Sequence, residues 1–367
     1  MRLALRELRR RFRKFLPTTA ALALLVVLLL MLGGLLDGLF LGSTGALRSQ
    51  DSQLAVFSDS ARDSVIRSSI DPATREVIES VDGVAATYGF GVALVGARVP
   101  GETGIADAAV MGYEGNVDGV PSPPPPGRAW ADKSLRADGV SEGDVVKAGP
   151  TRIPLEVVGF VSDSNFLQQG ALWVEPDTWR EVLAQSRPGA AVDDGVFQTV
   201  WVELEPGADA DAVARAIDDA TGTTKTLTRN EAVMAIPGIK EQETTFTQII
   251  GVTLFVSGLV VALFFALLTL ERTAMLGVLK AVGASSGQLV TTLVTQTLLV
   301  TALAYVIGAS FAFAMSLVIP PDVPITLTAS RAVFVAVGVF VAALIGGAIS
   351  LRRIIKIDPA SAIGTGT

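Results

Sequence analysis

The chain has 367 residues, half of them hydrophobic, and its mean hydropathy of +0.51 is too high for an ordinary soluble domain of this length. It contains no cysteine and no histidine, which excludes a disulfide framework, cysteine nucleophiles, histidine bases and the usual zinc ligands. The formal net charge is −7, and the charged residues are unevenly distributed along the chain.

Four apolar segments are long enough to cross a bilayer, because a transmembrane helix needs about 20 consecutive, mostly apolar residues. They lie at 17–36, 249–270, around 294–319 and 332–351. The first and second are separated by about two hundred residues of ordinary globular composition, which is enough for a core of their own. The sequence therefore predicts an integral membrane protein with one large water-soluble insertion.

The distribution of charge predicts the orientation of these spans. Residues 1–16 carry seven basic side chains and one acidic, and residues 352–358 carry three and one. Between residues 43 and 245 there are 31 acidic and 16 basic side chains, a net charge of −15. Lys and Arg near helix ends favour the cytoplasmic side. We therefore expect a multi-pass protein of the bacterial plasma (inner) membrane, with both termini cytoplasmic and the acidic region outside.

The N-terminal segment has two interpretations beyond topology. RRFRKFL (10–16) before an apolar run is typical of an export signal, but the run is long and no small-residue cleavage site follows it. We therefore expect the first helix to be retained as a span. Residues 1–16 are also predicted to form an amphipathic helix whose cations bind anionic membrane lipids. A flank that only sets the topology is the alternative.

These patterns divide the chain into nine segments. In order, they are a cytoplasmic amphipathic helix (1–16), transmembrane helix 1 (17–42), an extracytoplasmic α+β domain (43–245), transmembrane helix 2 (246–270), a short cytoplasmic helix and turn (271–287), transmembrane helix 3 (288–319), a short external loop (320–330), transmembrane helix 4 (331–351) and a cytoplasmic tail (352–367).

Strand and helix patterns alternate within the extracytoplasmic domain, which predicts one compact α+β fold. A polyproline connector lies at 120–127, and the residues from 225 to 245 are predicted to lead back to the membrane. The predicted elements are a helix with a glycine turn (72–84), a strand pair (86–99), a helix, turn and strand (134–148), a strand (153–163), a strand running into a helix (171–183), a strand (198–207) and a helix (208–222).

Small residues recur every four positions in the third and fourth spans, where they let helix backbones approach closely within lipid. We predict that they are helix-packing positions, either within one chain or across a dimer. They are Ala304, Gly308 and Ala312 in the third span, and Gly338, Ala342 and Gly346 in the fourth.

Known catalytic patterns are missing from the sequence. No Gly-Lys-Ser/Thr sequence occurs, so the chain has no Walker A phosphate loop and is not expected to hydrolyse ATP. GASSG (283–287) fits the spacing of a nucleophile elbow, but without any histidine we interpret the match as chance. The sequence predicts no catalytic, cofactor or metal site in this chain, and no nucleic-acid partner.

The segment 271–284, which follows the second span, has two different faces if it is helical. One face is apolar, whereas Thr273, Gly277, Lys280 and Ala284 form a small, nearly flat face that would suit docking. Gly283 offers a helix stop. The alternative is a juxtamembrane helix that only orients the spans.

The order Glu-Arg-x-x-x-x-Gly-x-Leu-Lys-Ala-x-Gly-Ala at 271–284 resembles the cytoplasmic loop of permeases in the MacB/FtsX-like (type VII) branch of ABC transporters. KIDPASAI (356–363) resembles the closing segment of that family, and the one-plus-three arrangement of spans agrees. The resemblance implies a homodimer of permease chains, with a separate ABC ATPase that binds ATP and Mg below each chain. It makes 271–287 the coupling helix and turn, with Glu271, Arg272, Thr273, Gly277, Lys280, Gly283 and Ala284 as candidate ATPase contacts.

In this family, ATP-driven closure below the membrane moves the outer domains, a process called mechanotransmission. Lys280 stands where arginine is more usual, the surroundings of Thr273 carry less charge than is typical, and no ATPase is fused to the chain. Two outputs stay open. The complex either exports or extracts an amphiphile, lipid or peptide, with or without an extracytoplasmic adaptor, or it signals to an external partner such as a cell-wall hydrolase. A receptor or anchor without an ATPase would explain the topology but not the 271–284 pattern. The sequence identifies no substrate-binding residue.

Overall fold

The computed structural model describes residues 12–271, 286–320 and 323–355. The chain divides into two compact units, a membrane unit of Met1–Gly38 and Glu243–Thr367, and an outer unit of Leu39–Gln242. The coupling segment, most of the predicted N-terminal amphipathic helix and most of the cytoplasmic tail lie outside the described residues.

The elements of the first two thirds of the chain begin with a long helix and continue with alternating strands and short helices. They are α1 (Phe12–Arg48), β1 (Leu54–Ser58), α2 (Pro72–Glu79), β2 (Val84–Arg98), β3 (Ala106–Tyr113), β4 (Arg128–Asp132), β5 (Val145–Ala148), β6 (Ile153–Val161), β7 (Gly170–Val174), α3 (Pro176–Ser186), β8 (Thr199–Leu204), α4 (Ala210–Thr221), β9 (Thr224–Thr228) and α5 (Arg229–Met234). Three long helices follow, α6 (Ile239–Glu271), α7 (Ser286–Ser316) and α8 (Ala329–Ile355).

Four helices among the described residues are long and apolar enough to cross a membrane. Their apolar windows are Phe15–Arg48, with a mean hydropathy of 2.7, and Ile239–Phe264, Val294–Ser316 and Ala329–Ala348, each with 2.1. Large side chains such as Phe255, Leu263 and Val337 are exposed on these helices, as expected where lipid is the solvent. The predicted fold class of one plus three spans around an α+β insertion is confirmed.

The first two spanning helices are longer than predicted. Transmembrane helix 1 was expected at 17–42, but α1 runs from Phe12 to Arg48, and α6 begins at Ile239 rather than at 246. At 1.5 Å per residue, the 37 residues of α1 extend over about 55 Å, whereas the hydrocarbon core of a bilayer is about 30 Å thick. Helix α1 therefore contributes residues to both units.

The outer unit contains one mixed sheet of nine strands among the described residues, in the order β3-β7-β4-β6-β5-β2-β8-β1-β9. The long strand β2 also pairs with β3, so six of these strands close into a ring. Alanines from several of these strands lie in one buried cluster with Trp179 of α3. Helices α2 and α4 contribute to a separate apolar cluster that includes Val56 and Val200 of β1 and β8.

Three details of the predicted outer domain are wrong. The helix expected at the start of 134–148 is only a 3-10 turn, Lys133–Arg136. The segment 86–99 was expected to form a strand pair, but β2 is one strand of 15 residues. Its glycines make room for aromatic rings instead of turning the chain, since a Cβ at Gly89 or Gly91 would overlap Phe197 or Trp179. The segment from 225 contributes β9, which pairs with β1, before the chain returns to the membrane.

Candidate functional site at the membrane helices

The predicted ATPase-coupling residues lie at the boundary of the described structure. The described part of α6 extends to Glu271, where the predicted coupling segment begins, and that of α7 starts at Ser286. The other predicted contacts, which are Arg272, Thr273, Gly277, Lys280, Gly283 and Ala284, lie outside the described residues. The docking role of this segment stays a prediction.

The small residues of α7 lie against α1. A Cβ at Gly308 would be 2.6 Å from the carbonyl oxygen of Ala23 and 2.8 Å from the Cβ of Val26. Ala304 and Ala312, one turn to either side, are fully buried. The backbones of α1 and α7 therefore approach closely at this point, which any side chain larger than hydrogen would prevent.

The small residues of α8 lie against a different helix, α6. A Cβ at Gly338 would be 2.9 Å from Leu254, and one at Gly346 would overlap the carbonyl oxygen of Gly258. Gly258 in turn faces the carbonyl oxygen of Ala342, at 3.1 Å from its own Cβ position. The two predicted rows thus contact α1 and α6, all within one chain.

An ion pair that sequence reasoning did not single out joins α1 to the start of α8. The carboxylate of Asp37 accepts hydrogen bonds from the hydroxyl of Thr328 (2.9 Å) and from Nε of Arg331 (3.2 Å), and it also pairs with Nη2 of Arg331. The side chains of Asp37 and Arg331 are only 16% and 19% exposed. A lone carboxylate in an apolar segment was the available signal, because ionisable residues within membrane helices are rare and usually have a specific partner.

Glycines of α1 let the segment 323–331 pack directly on the helix backbone. A Cβ at Gly33 would be 2.6 Å from Cδ of Arg331, and one at Gly38 would overlap the carbonyl oxygen of Pro324. The backbone N–H of Thr326 donates to the carbonyl oxygen of Gly34 at 2.9 Å. The ion pair and this backbone contact together fix the entry to α8 on α1.

A cleft of about 670 Å³ lies in the outer unit beside α3. It is lined in part by Glu175, Asp177 and Glu181. The carboxylate of Glu175 accepts from the backbone N–H groups of Asp177 (2.9 Å) and Thr178 (2.8 Å), which caps α3. Among the described residues, no group of three or more acidic side chains is placed to hold a metal ion.

Part of the membrane unit is similar to a known family. Residues 248–359 match the family described as FtsX-like permease C-terminal. The putative hemin transport system permease protein HrtB of Staphylococcus epidermidis is 30% identical over 146 residues, 40% of this chain and 40% of that protein. The protein of the same name in Staphylococcus haemolyticus is 30% identical over 114 residues, 31% of this chain and 32% of that protein. The chain thus spans about 40% of the length of the first curated relatives that it matches.

Two solved structures are similar to the outer unit. The extracellular domain of the noncanonic ABC-type transporter YknZ from Gram-positive bacteria is 17% identical, with a TM-score of 0.33, over 48% of this chain and 99% of that chain. The periplasmic region of MacB from Actinobacillus actinomycetemcomitans is 12% identical, with a TM-score of 0.36, over 52% of this chain and 96% of that chain.

Proposed function

We propose that the chain, whose residues 248–359 match the FtsX-like permease C-terminal family, is a permease subunit of the MacB/FtsX-like ABC transporters that converts ATP hydrolysis by a separate chain into movement of its outer unit. Two copies would pair in the membrane, each with an ATPase that holds ATP and Mg. The movement would export or extract an amphiphile, lipid or peptide. This chain itself would have no catalytic role.

The continuity of α1 is the observation that carries this proposal. One helix of 37 residues supplies residues to both the membrane unit and the outer unit. An α-helix keeps its length under load because each turn is closed by backbone hydrogen bonds. Movement of the membrane part of α1 would therefore be passed along the helix, rather than absorbed by a flexible linker.

The cargo class is supported by the chemistry of the chain. The matched staphylococcal relatives are named as hemin permeases, and hemin is an amphiphile. This chain has no histidine or cysteine to ligate iron. The hydroxyls of its three tyrosines donate to Glu203, Pro121 and Ala332, and burial raises the pKa of Tyr113. A hemin cargo would therefore be held by methionine sulfur or by its apolar ring and its carboxylates, as other amphiphiles would be.

A signalling output, in which the outer unit activates an external partner such as a cell-wall hydrolase, is the second candidate. The cleft beside α3 favours it, because Glu175, Asp177 and Gln185 in its lining could hydrogen-bond to a protein surface. Reconstituted vesicles distinguish the two outputs. ATP-dependent release of a labelled lipid or of hemin supports transport, and ATP-dependent activation of a co-purified hydrolase without release supports signalling.

The ATPase partnership is tested with the complex purified in detergent. The chain alone should show no ATPase activity above background, and Gly277→Trp should abolish stimulation of the partner, because the bulky side chain would hold the ATPase surface away. Met275→Leu, on the opposite face, is the matched control, since exchanges between apolar residues of similar volume usually cost less than about 1.5 kcal/mol. Normal stimulation with Gly277→Trp, or its loss with Met275→Leu, would place the coupling contact elsewhere.

The proposed orientation puts the outer unit outside and both termini in the cytoplasm. The chain lacks cysteine, so single cysteines report their own accessibility. An impermeant thiol reagent on intact cells should label Ser60→Cys, which is an exposed position of the outer unit. It should not label Ser361→Cys until the cells are permeabilised. Labelling of both positions in intact cells would refute this topology.

A further inference from the structure

The loop between β6 and β7 wraps around the outer end of α1. We call residues 162–169 the clamp loop. Residues 39–48 of α1, which it contacts, belong to the same outer unit. Three backbone hydrogen bonds join the two segments, from the N–H of Gln168 to the carbonyl of Gly42 (2.9 Å), from the N–H of Leu167 to the carbonyl of Ser43 (3.2 Å) and from the N–H of Ala46 to the carbonyl of Asn165 (3.0 Å).

Side chains extend this backbone contact at both ends. The amide Nε2 of Gln168 donates to the carbonyl oxygen of Leu39 (2.7 Å) and to the hydroxyl of Ser43 (2.8 Å). The guanidinium of Arg48 donates to Asp163 at 2.6 Å. The close approach requires glycine on the helix, because a Cβ at Gly45 would be 2.5 Å from the carbonyl oxygen of Asp163.

The clamp loop is itself anchored to the sheet. Ser164 is fully buried, and both its N–H (3.0 Å) and its hydroxyl (2.7 Å) donate to the carboxylate of Asp132. Asp132 ends β4, which is the strand between β7 and β6 in the sheet. Phe166 is 2% exposed and packs in the same core cluster as Leu47 of α1. The loop is thus attached to three neighbouring strands.

The backbone of the clamp loop adopts unfavourable conformations. Asp163, Leu167 and Gln168 have φ values of 56°, 50° and 66°, in the left-handed region. Non-glycine residues persist there only where their surroundings determine the conformation, and they concentrate at functional sites and switch regions. Two of these residues, Leu167 and Gln168, donate their backbone N–H groups to carbonyls of α1 in this conformation.

From these contacts we infer that the clamp loop is the joint that passes displacement of α1 to β4, β6 and β7, with Gln168 and Gly45 as its positioning residues. The inference rests on the proposed function. Directional hydrogen bonds to helix carbonyls resist sliding of the helix, which apolar contacts alone would allow. Through Asp132 and the ends of β6 and β7, movement of the helix reaches the ring of strands as a whole.

The test uses the full complex with its ATPase, with spin labels read between the two copies. One label replaces Leu24, an exposed residue in the membrane part of α1, and in separate samples another replaces Asp219, an exposed residue of α4. In the wild-type complex, ATP with vanadate should change the distance at both labels. Gln168→Glu keeps the size of the side chain and removes its donor group, and Gly45→Leu forces the loop away. Both variants should keep the change at Leu24 and lose it at Asp219.

Two control variants match these changes elsewhere in the outer unit. Gln185→Glu alters a glutamine that bonds Glu181 within α3, and Gly104→Leu adds a side chain where no atom lies within 4 Å. Both should retain the change at both labels. Normal changes at both labels in Gln168→Glu would overturn the clamp inference, even if Gly45→Leu failed to fold. A wild-type complex without a change at either label would refute the proposed function and the clamp with it.

Discussion

Removing one partner of the Asp37–Arg331 pair should destabilise the membrane unit far more than removing both. Arg331→Met keeps most of the side-chain volume but leaves the Asp37 carboxylate with the Thr328 hydroxyl as its remaining described partner. Both charged side chains are largely buried, at 16% and 19% exposure. Breaking a buried ion pair from one side typically costs about 3–5 kcal/mol, because an uncompensated charge remains.

Asp37→Leu, which removes the other partner, should lower the free energy of unfolding less than Arg331→Met does. In Asp37→Leu the guanidinium of Arg331 loses its carboxylate but still lies 5.9 Å from the ring centroid of Phe334, and its long stem lets the charge extend toward the headgroup region. The double variant Asp37→Leu/Arg331→Met removes both charges, and replacing a buried pair by apolar residues is often neutral. Because the double variant is near neutral while Arg331→Met alone costs about 3–5 kcal/mol, the double-mutant cycle should give a coupling energy of at least about 3 kcal/mol.

Equilibrium unfolding in mixed micelles with increasing SDS measures this cycle. Circular dichroism follows the membrane helices, whereas the four tryptophans all lie in the outer unit and report its integrity separately. The control cycle uses Arg128 and Glu156, whose side chains are 48% and 44% exposed, and should give about 0.2–1 kcal/mol. Additive effects of Asp37→Leu and Arg331→Met would show that the pair is not coupled as the structure indicates.

Two further predictions concern a helix contact and a helix cap. Gly346→Leu should lower the thermal unfolding midpoint of the detergent-solubilised chain, because its side chain would overlap the carbonyl of Gly258. Gly251→Leu is the control, since no atom lies within 4 Å of a Cβ at that position. Equal unfolding midpoints of the two variants would contradict this packing. The backbone N–H and hydroxyl of Thr228 hold the pKa of Glu231 below its usual range. That stabilisation is present above the unfolded pKa of about 4.3 and is lost as pH falls through the folded pKa of Glu231. In Glu231→Gln, the free energy of unfolding, measured by tryptophan fluorescence, should therefore fall less as the pH is lowered.

The spans and the class of the outer domain could be predicted because composition and period act locally. About 20 apolar residues specify a span wherever they occur, and alternating patterns specify strands and helices. The strand-pair prediction at 86–99 failed because the segment continues as one strand of 15 residues, β2. In the structure, Gly89 and Gly91 lie under the rings of Phe197 and Trp179, which are about 90 to 110 residues further along the chain. No local pattern carries that information.

The partner of Asp37 was unpredictable for the same reason. A carboxylate inside an apolar helix signals a buried interaction, but Arg331 is 294 residues away, and several other basic residues lie near predicted helix ends. Only the packing of α8 on α1 selects it. The coupling segment could be predicted from the sequence, unlike this ion pair, because the prediction rests on a pattern within 14 consecutive residues. Its docking role is to be tested with Gly277→Trp.

The sequence predicted rows of small packing residues in α7 and α8 but did not predict the row of glycines in α1. Gly34, Gly38, Gly42 and Gly45 recur at helical spacing, and each costs a helix about 1 kcal/mol relative to alanine. The first two let the segment 323–331 approach within the membrane unit, and the last two let the clamp loop approach within the outer unit. A glycine row is usually read as a contact between two helices. Here the occupants are non-helical segments that hydrogen-bond to the exposed carbonyls, so the row marks a helix that is held by its backbone in both units. A helix held in this way is suited to pass on movement, and substitutions along this row test that property directly.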